Sequence, residues 1–164
     1  VPRKSACNEN IDSNDRSAYR FQYCNIKTLN LIPSVLAAQK SEEKGVAECI
    51  FHRGDIVTEC AHSNVHIIKD GIFVTHPADH FILPGIARAH LIKTCKALGY
   101  GVDERPFTMS ELMDADEVIV SSSGSFCLQV SDVDGTPVGG KAPEMLKKIQ
   151  DALVEDFIEK TGGR

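Results

Sequence analysis

Lys27 draws attention first among the residues able to do chemistry. Its neighbours Cys24, Ile26, Leu29, Leu31 and Ile32 are apolar, and it sits where a strand-like stretch gives way to helix signals. A lysine amine in apolar surroundings sheds its proton more readily and can act as a nucleophile. The competing reading is a packed stem whose head reaches water. Glu59 closes the apolar run Ile56-Val57-Thr58. It is either an exposed strand end or the partner of a buried cation. Ser121-Ser122-Ser123-Gly124 follows the apolar run Val118-Ile119-Val120. Such a stretch is either an ordinary turn or an anion cradle, where hydroxyls and a glycine let backbone approach a phosphate. Gly85-Ile86-Ala87 opens a predicted helix, and a helix N-terminus is a second natural anion site. The two sites point to a phosphate-bearing ligand if they converge in space.

Other motifs are weaker. Gly135-Thr136-Pro137-Val138-Gly139-Gly140-Lys141 matches the first seven places of a phosphate-binding P-loop. Ala142 stands where a Ser or Thr hydroxyl should hold Mg²⁺, and Pro137 lacks an amide, so nucleotide binding is rejected. His62 and His66 are four apart, and His76 and His80 lie in a loop, without a third ligand at a convincing spacing. No metal site is expected, since mononuclear zinc needs three or four protein ligands. The six cysteines form no Cys-x-x-Cys pair and sit in apolar stretches, as buried free thiols do. A reducing cytoplasm is the expected location.

The elements that must position these residues can be read coarsely. Residues 1–20 hold three asparagines and seven charges without period. They read as a poorly ordered polar lead-in. Residues 21–27 look strand-like. A helix starts near Asn30 or Leu31, with Pro33 in its first turn, and stops at Gly45. Strands follow over 48–53, 56–59, 64–69 and 72–75, with Asp70-Gly71 a hairpin signal. A helix runs from Gly85 to Gly99, then a strand over 102–106. Thr108 with Glu111 forms a capping-box pattern. A buried strand over 117–120, a hairpin at Asp134-Gly135 and an amphipathic helix over 143–161 complete the chain. The mixture is α/β of mixed α+β character, not a regular βαβ winding. With 164 residues, 42% hydrophobic and 25% charged, one cored domain is expected. The net charge of −5 without a basic cluster argues against nucleic-acid binding, and no apolar run is long enough to cross a membrane.

Six segments occur in order: Cys24-Asn25-Ile26-Lys27-Thr28-Leu29-Asn30, Val57-Thr58-Glu59, His62-Ser63-Asn64-Val65, Ile82-Leu83-Pro84-Gly85-Ile86-Ala87-Arg88, Glu104-Arg105-Pro106-Phe107 and Ala115-Asp116-Glu117-Val118. Together they resemble the class IV (fold type IV) pyridoxal-phosphate aminotransferases, and the lysine motif resembles their D-amino acid branch. The resemblance runs from about Phe21 to the C-terminus. It implies the family's large C-terminal domain over 21–164, a pseudo-barrel of mixed strands with flanking helices. It implies pyridoxal 5'-phosphate as cofactor, Lys27 as the lysine that binds it covalently and then acts as acid and base, and Glu59 as the carboxylate on the pyridine nitrogen. Leu83 would pack on the ring. Ile86 and Ala87 would offer helix-start amides to the phosphate, and Ser123 with Gly124 would be its second contact. The implied reaction moves an amino group from a D-alanine-like amino acid to a 2-oxo acid such as 2-oxoglutarate, in a homodimer.

The pattern departs from the family in places. Ala87 stands where the family usually has Thr, which removes a hydroxyl bond of about 1 kcal/mol. Asn25 and Cys60 are milder changes. Only 26 residues precede Lys27, where the family has a smaller N-terminal domain of over a hundred that traps the substrate. The chain therefore reads as truncated. The alternatives are a branched-chain aminotransferase or aminodeoxychorismate lyase relative, or a non-catalytic fragment.

Overall fold

A computed structural model describes residues 3–10 and 23–162. Its elements are β1 (Arg3–Asn10), α1 (Ile32–Glu43), β2 (Glu48–Arg53), β3 (Ile56–Cys60), β4 (Asn64–Lys69), β5 (Ile72–Thr75), α2 (Ile86–Ala97), β6 (Gly101–Glu104), β7 (Phe107–Thr108), α3 (Met109–Met113), β8 (Glu117–Ser121), β9 (Leu128–Val133), β10 (Thr136–Pro137) and α4 (Pro143–Thr161). The strands join one mixed sheet in the order β6-β5-β4-β8-β9-β1-β2-β3-β7, with β10 on β9. β1 runs parallel to both β2 and β9, and β5 parallel to β6.

The sheet must curl, because strands from both of its arms feed one inner core. Ile50 and Val57 of one arm and Val65, Ile67 and Val74 of the other belong to the same buried cluster, with Val118, Val120 and Val130 between them. Alternation sends the intervening residues outward. Ile68, Phe73 and Ile119 pack under α2 and α4 with Leu91, Cys95, Leu146 and Ile149. Cys7, Cys49 and Phe51 pack with Ala37 of α1. Both faces of the central strands are thus covered, which is why the middle of β8, Val118-Ile119-Val120, is an uninterrupted apolar run. The result is the mixed α/β half-barrel with flanking helices that the fold reading expected.

Two expectations need correction. The lead-in over 1–20 is not wholly irregular, since Arg3–Asn10 is a strand in the middle of the sheet. Its polar residues find partners on neighbouring segments: Ser5 donates to Asp132 at 2.6 Å, and the Asn8 backbone and side chain both donate to Asp134. Ala6 and Cys7 supply one buried side chain to each face. The window had too few apolar residues for a period to show. Residues 11–20 lie outside the described residues. The stretch expected to be strand-like over 21–27 is, over 23–27, a turn closed by Ile26 N–H donating to Tyr23 O at 3.1 Å.

Candidate active site

β3 delivers Glu59 to the end of the sheet where the chain turns sharply. Cys60 N–H donates to Ser63 O at 2.7 Å, which closes the turn into β4. Glu59 is half-buried there and accepts the backbone N–H of Leu83 at 2.8 Å. Leu83 belongs to the loop between β5 and α2, and its carbonyl accepts from Asn64 Nδ2 at 2.9 Å. Asn64 opens β4 and is the register partner of Ser121 on β8. It also borders Gly85, where a Cβ would lie 2.3 Å from Asn64 Oδ1, so only glycine fits without moving a pinned side chain. One residue thereby joins three of the predicted segments. Glu59 and Leu83 touch, α2 begins beside them, and the Ser122–Gly124 loop leaves the strand position opposite Asn64.

The electrostatics at the start of α2 suit an anion. Gly85 is its N-cap in extended conformation, no side chain caps the helix, and no acidic residue lies in its first turn. Uncapped amide N–H groups at a helix N-terminus carry partial positive charge. Ile86 is exposed and Ala87 buried. On the loop after β8 Ser123 and Gly124 are exposed, and Gly124 has open space where a Cβ would stand. Ser125 N–H donates to Ser122 O at 3.1 Å and sets the bend.

Lys27 departs from the expected apolar setting. Its side chain is exposed, and of its apolar neighbours only Cys24 is buried, with Leu29 at 96% and Ile26 at 52% exposure. Among the described residues its amine has no hydrogen-bond or ion-pair partner. The segment is fastened by Cys24 N–H donating to His80 O at 2.8 Å, on the same β5–α2 loop that carries Leu83. Glu59, Leu83 and the start of α2 are thus brought together through Asn64, the loop after β8 begins next to the partner strand position of Asn64, and the Lys27 segment is tied to the 76–85 loop through Cys24.

The rejected motifs resolve into structural roles. In the P-loop-like stretch, Asp134 and Gly135 take positive φ at the β9–β10 turn. The Gly140 amide is taken by Glu117, and Lys141 pairs with Asp114 at 3.3 Å. His62 is exposed near Glu48 while His66 is buried between Thr75 and Ser121, so the two do not face one ligand. A cavity of about 320 Å³ between the 125–128 segment and α4 is apolar and shares no predicted site residue.

Four residues beside the site were assigned no site role from the sequence, His66 having been weighed only as a metal ligand: Asn64, His66, Thr75 and Arg88. A signal existed for two of them. His66 interrupts an apolar strand, and Arg88 falls on the buried face of α2 with Leu91 and Cys95. A polar residue at a core position demands a partner, but the sequence does not say which.

The chain is 40% identical over 144 residues to the D-alanine aminotransferase of Listeria monocytogenes serotype 4b (strain F2365), covering 87% of this chain and 50% of that protein. It is 36% identical over 143 residues to the D-alanine aminotransferase of Bacillus licheniformis, with the same two coverages of 87% and 50%. It spans about half the length of the curated relatives it matches. The crystal structure of the Escherichia coli branched-chain amino acid aminotransferase superposes with a TM-score of 0.74 at 28% identity, over 93% of this chain and 50% of that one. A hypothetical aminotransferase from Mycobacterium tuberculosis, in its PLP-bound form, superposes with a TM-score of 0.78 at 23% identity, over 93% of this chain and 56% of that one. The amino-transferase class IV model matches residues 2–133, which is most of the chain, and this chain belongs to that family.

Proposed function

We propose that this chain serves the transfer of an amino group from a D-amino acid, D-alanine-like in size, to a 2-oxo acid such as 2-oxoglutarate, with pyridoxal 5'-phosphate as cofactor. The observation that carries the reading is the convergence on Asn64: Glu59 bonded to Leu83, the uncapped start of α2, and the Ser122–Gly124 loop. The 36–40% identity to D-alanine aminotransferases supports the D-amino acid branch.

The residues fit this cofactor. A phosphate needs amide N–H groups and hydroxyls without a competing carboxylate, and α2 with the serine loop after β8 offers that set. When bound, the cofactor supplies an electron sink that lets an amino acid give up its α-proton and its amino group. Ile86, Ala87, Ser123 and Gly124 would hold the phosphate, and Leu83 would pack on the ring. Glu59 would hold a proton on the pyridine nitrogen by presenting a carboxylate to it. Lys27, whose amine has no partner among the described residues, would bind the cofactor covalently and then move a proton as base and acid.

The test mixes the purified chain with pyridoxal phosphate, reduces it with borohydride and maps modified lysines by mass spectrometry. Selective labelling of Lys27, weakened by Glu59→Ala, is expected. Labelling spread over surface lysines, or absent, would overturn the assignment for this chain.

A further inference from the structure

The two sides of the candidate phosphate site are connected beneath the surface. Arg88, 4% exposed, donates from Nε to Thr75 Oγ1 at 3.3 Å. His66 Nδ1 lies 2.8 Å from that same hydroxyl, and His66 Nε2 lies 2.8 Å from Ser121 Oγ. Thr75, His66 and Ser121 are each no more than 1% exposed. Arg88 is anchored at its other end, where Nη2 donates to His76 O at 2.9 Å and to Glu104 Oε2 at 2.8 Å. The ends of this buried chain are significant. Ser121 is the residue immediately before the Ser122–Gly124 loop, and Arg88 immediately follows Ile86 and Ala87 in the first turn of α2.

We infer that His66 is a positioning residue, which through Ser121 on one side and Thr75 and Arg88 on the other holds the serine loop and the start of α2 at the spacing one phosphate group requires. The inference rests on the cofactor reading above. Packing alone does not account for an imidazole here. Its ring stacks on Phe73 at a centroid distance of 5.1 Å, a contact that a phenyl ring would also make. What the imidazole adds is one acceptor and one donor on opposite edges of a flat, rigid ring. Thr75 Oγ1 accepts from Arg88 and turns its own proton to Nδ1. Nε2–H is left to donate to Ser121. The donors then run in one direction from the guanidinium to the loop, an order in which each bond polarises the next.

The experiment compares affinities for pyridoxal phosphate and for pyridoxal, the same ring without phosphate, read from the absorbance of the bound ring. The ratio of the two reports the phosphate contacts and cancels general loss of folded protein. The chain as it stands should favour the phosphorylated form. His66→Phe should lose about tenfold of that preference, the effect of one hydrogen bond's worth of misplacement, with pyridoxal affinity unchanged. His66→Gln, which keeps a donor and an acceptor, should recover part of it. Adding Ser121→Ala to His66→Phe should cost nothing more. If His66→Phe does not fold, Thr75→Val carries the same expectation. Full preference retained in His66→Phe, or in Thr75→Val, overturns the inference and leaves the cofactor reading intact. Absence of any preference in the unmodified chain overturns that reading, and this inference with it.

Discussion

His66 presents no surface to water, and both ring nitrogens are spent on hydroxyls. Burial, helped by the nearby Arg88 charge, pushes its pKa down to about 3 from an ordinary value of 6.5. Below pH 6.5 the unfolded imidazole takes up a proton that the folded one refuses, so stability is full above 6.5 and falls as pH drops toward 3. Between pH ~6.5 and ~4.5 this one residue should remove about 2 kcal/mol, the slope rising toward ~1.4 kcal/mol per pH unit as the unfolded imidazole protonates. Urea denaturation at both pH values should show the loss in the natural chain and a smaller one in His66→Phe, which lacks this buried imidazole. An equal loss in both would mean that His66 is not held neutral. Burial acts in the opposite sense on the thiols. Cys95 and Cys127 are pushed up to about 12, and Cys60 is held well above its ordinary value. Thiols held protonated are poor nucleophiles.

At the scale of elements, Glu117 shows how a single carboxylate seats a helix. It is fully buried, and its Oε2 accepts from Gln129 Nε2 at 2.6 Å and from the Gly140 amide at 3.1 Å. Its Oε1 accepts from the Ala142 amide at 3.0 Å, one residue before α4. Gly139, at φ 67°, passes close over the Glu117 backbone, where a Cβ would lie 3.2 Å away. The glycines and the carboxylate thus form one joint that aims α4. From there Leu146, Ile149 and Leu153 cover the outer core. Glu117→Gln would turn an amide NH₂ toward backbone or side-chain donors on one edge. The expected loss is about 2–4 kcal/mol, from broken bonds to a charged acceptor and donors left unsatisfied. Chemical denaturation measures it, and hydrogen exchange should quicken first in the opening turn of α4. An unchanged midpoint would mean that α4 docks by its apolar face alone.

At the scale of the molecule, the curled sheet leaves one side clad in apolar residues that nothing described covers. Leu29, Ile32, Val35 and Leu36 are each more than half exposed, beside Lys27. α1 has little amphipathic choice, because it contacts the sheet mainly through Ser34, Ala37 and Ser41. Its larger side chains face outward as a result. A contiguous apolar surface of this kind drives association. The chain should self-associate as concentration rises, and Ile32→Lys with Val35→Lys should raise the concentration at which it stays monomeric. The thermal midpoint should hardly change, because exposed side chains contribute little to the core. Light scattering and sedimentation read the first effect. A double variant that associates as readily as the parent would remove this face from the explanation.

Features under short-range chemical control were legible in the chain alone. Asp70-Gly71 specified the β4–β5 turn, because both residues take positive φ there. Thr108 and Glu111 specified a capping box, made by residues three apart. Strands β2, β4 and β5 fell within their expected bounds, because alternation and turn residues mark both ends. The helix start at 85–87 and the loop that follows β8 were legible as well, since glycine and serine mark both locally. The tertiary structure decided the rest. β1 is a strand because distant residues partner its polar side chains, with Asp132 lying 127 positions from Ser5. His66 meets Ser121 across 55 positions, and no local period announces that pairing. Lys27 lies in an apolar sequence yet is exposed, because the chain's packing, not the composition of neighbouring residues, decides what is covered. Local geometry follows from a few neighbouring torsions, whereas a site needs contacts whose chain separation only the folded sheet can close.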